Sequence, residues 1–120
     1  MKDNPPAKNL ALLAYGSAIF LYVHLMVFIA VFGISVILNY HKGNKFASFH
    51  IRQMFGIGII AIVVSVFANN IPKDQFILPL IIITLMVLLS ILGLLSALRN
   101  QQDLIPFIGT YFQKWFTFIK

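Results

Sequence analysis

The stretch FASFHIRQ, residues 46–53, brings together Phe49, His50, Arg52 and Gln53 at the start of a long apolar run. An imidazole can hold or release a proton near neutral pH and can hydrogen-bond through either ring nitrogen. A guanidinium only donates, and its fork suits phosphate, carboxylate or backbone carbonyl oxygens. A carboxamide does both. On a helix His50 and Gln53 are neighbours at i, i+3, on the face of Phe46 and Ile57, whereas Arg52 turns to the face of Phe49 and Gly56. The stretch therefore offers two surfaces at one depth. Through one, His50 and Gln53 can hydrogen-bond inward across a bundle. Through the other, Arg52 can reach phosphates or the carbonyl of another helix end by extending along its own stem. These four residues are the candidate contacts to a partner or to lipid headgroups.

Chemistry beyond contact lacks its reagents. Cysteine and glutamate are absent, and the aspartates, Asp3, Asp74 and Asp103, all lie outside the apolar runs. His24, His41 and His50 are too scattered to suggest a metal site. No catalytic residue, cofactor or metal ligand is expected, and proton relays built on intramembrane carboxylates are excluded. His24 is the titratable side chain expected deepest in the apolar region, on one face with Ser17 and Ser35. It reads either as a polar lining or pH-sensitive contact, or as a neutral imidazole bonded to a neighbouring helix.

The elements that must position these groups are set by composition. Of 120 residues 60% are apolar and 10% charged, against about 25% charged in an ordinary soluble domain. The expected solvent is a bilayer, and the formal charge of +6 is expected to meet anionic lipid rather than nucleic acid. A cleaved leader is not expected, because the apolar start before Tyr15, Gly16 and Ser17 is too short.

Three apolar blocks follow within one membrane domain, residues 1–120. The second, 46–70, and the third, 76–99, each suit a single span, since about 20 residues cross the hydrocarbon. NNIPKDQ, residues 69–75, is the turn between them, and Pro79 falls in the first turn of the third block, where its missing N–H costs little. The first block, 9–39, would make a helix of about 46 Å, too long for one upright span and too short for two. Crossing once, it leaves Lys2, Lys8 and Lys73 opposite six other basic residues. Returning at Gly16-Ser17 or near Tyr22/His24, it leaves Lys73 alone, and the positive-inside rule favours that arrangement with both termini cytoplasmic. The final stretch, 106–119, carries Thr110, Gln113, Lys114 and Thr117 on one stripe and aromatic residues elsewhere. It is expected to be an interfacial helix started by Asp103 and Pro106, with Tyr111, Lys114 and Trp115 at the headgroup boundary. A terminal helix packed on the bundle is the alternative.

Small residues let membrane helices approach closely. Gly58, Ala61, Ser65 and Ala68 line one face of the second block, and Ser90, Gly93 and Ala97 one face of the third. The short turn suggests that these faces meet. The expected fold is thus all-α, a polytopic membrane bundle with three full spans, a re-entrant or half-span amino-terminal helix and an interfacial carboxy-terminal amphipathic helix.

KFASFHIRQMFGIGI, residues 45–59, resembles the FVRFHARQ signature of small membrane proteins related to the chloroplast inner-envelope protein-import component. KNLALLAYGSAIF resembles the opening of that family, and GLLSALRNQQDLIPFIGTYFQKWF its ending, so the likeness covers essentially the whole chain. Ser48 departs from the family, which commonly has arginine there. The resemblance implies about four membrane segments and, in the plastid members, association with protein translocation. It implies no catalytic residue. The functional expectation is a non-enzymatic protein of the bacterial inner membrane, a subunit or accessory of an assembly such as the secretion translocon, with other membrane proteins or further copies of itself as partners. The alternative is an oligomeric pore or small-solute transporter.

Overall fold

In the computed structural model, which describes residues 7–40 and 42–119, the chain is all-helical. Lys2, Asp3, His41 and Lys120 lie outside the described residues. The helices are α1 (Lys8–Gly16), α2 (Leu25–Asn39), α3 (Lys45–Ala68), α4 (Ile77–Leu98) and α5 (Gly109–Trp115), with 3₁₀ turns at Ser17–Tyr22 and Lys73–Gln75.

The long first block breaks twice. The α-helix ends at Gly16 and tightens into the 3₁₀ turn. The chain then extends at His24, whose Nδ1 accepts the Met26 N–H at 3.1 Å and so caps α2. His24 is exposed, so it neither lines the interior nor bonds a neighbouring helix, as the sequence had suggested. Its polar atom instead satisfies an amide left over at a helix start. Ser17 and Ser35 are buried, yet each returns its hydroxyl to its own backbone, at Ala14 O and Phe32 O (both 2.6 Å). They form no polar lane with His24.

The breaks fold the block back on itself. Lys8 Nζ donates to Leu98 O (3.0 Å) at the end of α4, Tyr15 packs on Gly93, and the Tyr22 hydroxyl donates to Thr84 Oγ1 (2.9 Å), so α1 and its 3₁₀ extension run antiparallel to α4. On the return, Phe28 packs on Gly58 and Asn39 bonds Ser48, so α2 runs antiparallel to α3. Lys8 and the end of α2 therefore lie at the same end of the bundle. Two helical stretches, Lys45–Ala68 and Lys73–Leu98, are long and apolar enough to cross a membrane. A third full span was expected, but the break at His24 leaves α2 with 15 residues, about 22 Å of helix against a hydrocarbon core of about 30 Å.

Helices α3 and α4 pack more extensively than any other pair, although the two expected glycines do not face each other. A Cβ on Gly58 would lie 2.9 Å from the Phe28 ring of α2. One on Gly93 would strike the Tyr15 ring of α1. The correction has a steric cause: α1 wedges against both long helices, and its aromatic ring needs a surface without a side chain. Ala61 and Ala97 are fully buried, Ser90 is nearly so, and Ser65 and Ala68 share a recess with Pro79 and Ile83.

The carboxy-terminal helix is also shorter than expected. Pro106 and Phe107 form a turn, with Phe107 in the left-handed region (φ 71°), so helix begins only at Gly109. Asp103 does not start it; its backbone N–H donates to Ser96 Oγ (3.0 Å) in the loop after α4.

These contacts separate the glycines by effect. Gly93→Ala forces the Tyr15 ring aside and should lower stability by about 1–3 kcal/mol. Gly33→Ala, with nothing within 4 Å of the added carbon, should hold or raise the midpoint of thermal unfolding in detergent, because alanine suits a helix interior better than glycine.

Candidate functional site

The end of α4 prepares the site. Asn100 takes a left-handed conformation (φ 59°), its N–H donates to Ala97 O (3.0 Å), and the Gln101 N–H donates to Ser96 O (2.9 Å). This is a Schellman closure with asparagine where glycine is commonest. It turns the Gln101 carbonyl back toward α3. His50 meets that carbonyl with Nε2 at 2.7 Å. A carbonyl oxygen can only accept, so Nε2 carries the hydrogen. In the neutral ring Nδ1 then accepts, and it lies 2.7 Å from the Tyr15 hydroxyl. Three ring edges box the imidazole, with Phe46, Phe49 and Tyr15 centroids at 4.7, 5.1 and 5.3 Å.

Gln53 continues the network one turn deeper. Its Nε2 donates to Tyr15 Oη (2.9 Å) and to Asp103 O (3.3 Å), while its Oε1 accepts the Ile105 N–H (2.7 Å). Gly109 permits this approach, since a Cβ there would lie 2.9 Å from Gln53 Oε1. His50 and Gln53 are fully buried.

Arg52 leaves the helix on the other side, as the spacing predicts. Its Nε donates to Ile119 O (2.9 Å) and Nη1 to Gln113 Oε1 (3.3 Å), and Gln113 Nε2 donates to Phe49 O (2.8 Å). Phe112 seats on Gly56. The segment from Gln101 to Ile119 is thereby bolted across the first turns of α3.

His50 and Gln53 were candidates for contact with a partner or headgroup. The structure directs their hydrogen bonds inside the chain instead, because burial leaves no other way to satisfy them. Phe49 and Arg52 stay half-buried at the edge. Tyr111, Lys114 and Trp115 lie on the outer side of α5, exposed, with the Tyr111 and Trp115 rings 5.4 Å apart. Thus α5 is docked on the bundle through Phe112, as in the second alternative, and turns Tyr111, Lys114 and Trp115 outward.

Several participants were not singled out from sequence: Tyr15, Ser96, Gln101 and the Asn39–Ser48 pair (2.9 Å). Tyr15 carried a signal as the polar-tipped residue interrupting the apolar start. Gln101 acts through its backbone, which no residue type announces. Among the described residues no three histidine or acidic side chains gather to hold a metal ion. The arrangement can clamp, with the donors and acceptors of His50 and Gln53 already taken.

No family model matches the chain, and no curated protein or solved structure matches it.

Tyr15→Phe removes the donor to His50 and an acceptor for Gln53, and should cost about 1–3 kcal/mol. Because the groups form one network, combining it with Gln53→Leu should cost less than the sum. Trypsin cleavage after Arg99 checks both: release of the carboxy-terminal segment should speed up in each single variant.

Proposed function

We propose that this chain is a non-enzymatic, multi-pass protein of the bacterial inner membrane, and that it serves as a subunit or accessory of a membrane assembly such as a protein translocon. One observation carries the reading. Only 17% of the most apolar stretch around α4 is buried within the chain. Outside the narrow stripe of Ile83, Met86, Ser90, Gly93 and Ala97, it turns leucine and isoleucine outward along its length. The core helix of a soluble domain would be covered, and an uncovered apolar surface this continuous calls for lipid or protein.

Charge supports the orientation. Lys8, Lys42, Lys45, Arg52, Arg99 and Lys114 gather around the start of α3 and the end of α4, and Lys73 sits at the opposite turn. With the basic end cytoplasmic, α3 and α4 cross as a hairpin. The α1–α2 pair enters from the cytoplasmic face and returns to it, and both termini remain cytoplasmic. The hydrogen-bonded clamp would give a rigid cytoplasmic platform to a partner. The likeness of residues 45–59 to the import-component family supports translocation as the setting. A pore is less well supported, because Tyr15 and Phe28 fill the spaces that Gly93 and Gly58 leave between helices.

Reporters placed after Lys8, Lys42 and Lys73 should put the first two on one side and the third on the other. Mild-detergent purification should recover a stoichiometric membrane partner, and Arg52→Glu, which inverts the basic end, should reduce that recovery. Lys8 and Lys42 on opposite sides, or a chain that stays monomeric in several detergents, would refute the proposal.

A further inference from the structure

We infer that the cleft at the start of α3 is a discrete binding site for a phosphate-bearing anion. The cleft has a volume of about 460 Å³ and is lined by Gly43, Lys45, Ser48, Phe49, Arg52 and Gln102. That is room for a glycerophosphate-sized group. Two cations face it, and among the described residues no carboxylate lines it. Among the described residues, the carboxylates are Asp103, held at 3.6 Å by Arg99 and lining a different recess, and Asp74, at the far turn. Lys45 is exposed and makes no ion pair among the described residues. Arg52 uses Nε and one Nη1 hydrogen on Ile119 and Gln113, which leaves the rest of its fork for an oxyanion.

A second observation points the same way. Ser48 is 3% exposed and its oxygen accepts from Asn39 Nδ2 at 2.9 Å, while among the described residues its own hydroxyl hydrogen has no acceptor. A buried donor on the cleft wall asks for an acceptor in the cleft. The N-cap Asn44 adds to the demand, because its side chain donates to Asn39 Oδ1 (3.4 Å) and makes no cap bond to the first turn of α3. An anion there also meets the positive end of the helix dipole. Lys45, Arg52, Ser48 and Gln102 thus line one volume from two parts of the chain, with Phe49 as an apolar wall beside them.

A phosphodiester headgroup of an anionic lipid and a free phosphate ester share this chemistry. The lipid source rests on the membrane reading above; the anion site itself does not. The test uses the purified full chain, with phosphatidylglycerol, phosphatidylcholine and inorganic phosphate as separate probes. Native mass spectrometry should show a single phosphatidylglycerol retained and phosphatidylcholine lost. Lys45→Gln should weaken retention by about tenfold, Lys45→Arg should restore it, and Lys114→Gln, a cation outside the cleft, should leave it unchanged. Lys45 is exposed, so these variants keep the fold, which a thermal melt verifies. If inorganic phosphate binds and Lys45→Gln abolishes that binding, free phosphate esters are ligands in their own right; if it does not bind while the lipid does, the headgroup is the ligand. Equal losses from Lys45→Gln and Lys114→Gln would reduce the effect to diffuse surface charge and overturn the site, as would retention of neither phosphate nor anionic lipid. A chain that sediments with membranes yet shows no dependence on Lys45 loses the site and keeps the membrane reading. A chain that dissolves without detergent loses the membrane reading, and the phosphate titration still decides the site.

Discussion

A polar side chain buried in an apolar bundle must have its donors and acceptors matched inside the protein, because no water competes for them and each orphan costs on the order of 1–3 kcal/mol. His50 and Gln53 impose that condition here. The imidazole needs an acceptor for Nε2 and a donor for Nδ1, and it finds them in the Gln101 carbonyl and the Tyr15 hydroxyl. The carboxamide needs partners on both sides and takes them from Tyr15, Asp103 and Ile105. Three separate parts of the chain are thereby fixed together: the wedge of α1, the start of α3 and the loop after α4.

That constraint accounts for features that look unrelated along the chain. Helix α4 must stop at Leu98 and turn through a left-handed Asn100, or the Gln101 carbonyl would not reach the ring. Gly93 must lack a side chain, or Tyr15 could not bring its hydroxyl to His50. The carboxy-terminal segment must lie back over α3, where Gln113 and Arg52 hold it and Phe112 fills the space above Gly56. Close packing and hydrogen bonding act jointly, since Gly93 admits the Tyr15 ring whose hydroxyl bonds His50, and Gly56 admits the Phe112 ring of the segment that Gln113 and Arg52 hold.

The helix that organises the interior also shapes the surface. Successive residues of α3 point about 100° apart, so a stretch that buries His50 and Gln53 must turn Lys45, Phe49 and Arg52 toward its edge. The interior face sets the clamp, and the edge face leaves cations beside a cleft. Arg52 belongs to both, with part of its guanidinium bonded to the carboxy-terminal segment and part open. The remaining surface of α2, α3 and α4 is largely hydrocarbon, which leaves polar encounters to the two ends, with most of the basic residues at this one.

Much of this was legible in the residues. The apolar blocks, the helical class, the two long helices, the breaks near Gly16 and His24, and the inward and outward division of His50/Gln53 and Arg52 all follow from local periodicity and side-chain chemistry, which act over a few residues. Partner identity does not. That Gly58 would receive Phe28 and Gly93 Tyr15, that His24 would cap its own helix, that α5 would shrink to Gly109–Trp115, and that His50 would choose a backbone carbonyl were decided by packing. Tyr15 meets His50 across 35 positions and Arg52 meets Ile119 across 67, and the energies of such contacts depend on which surfaces already occupy the space. Local pattern determines which groups need partners; only the assembled bundle determines which partners lie within reach.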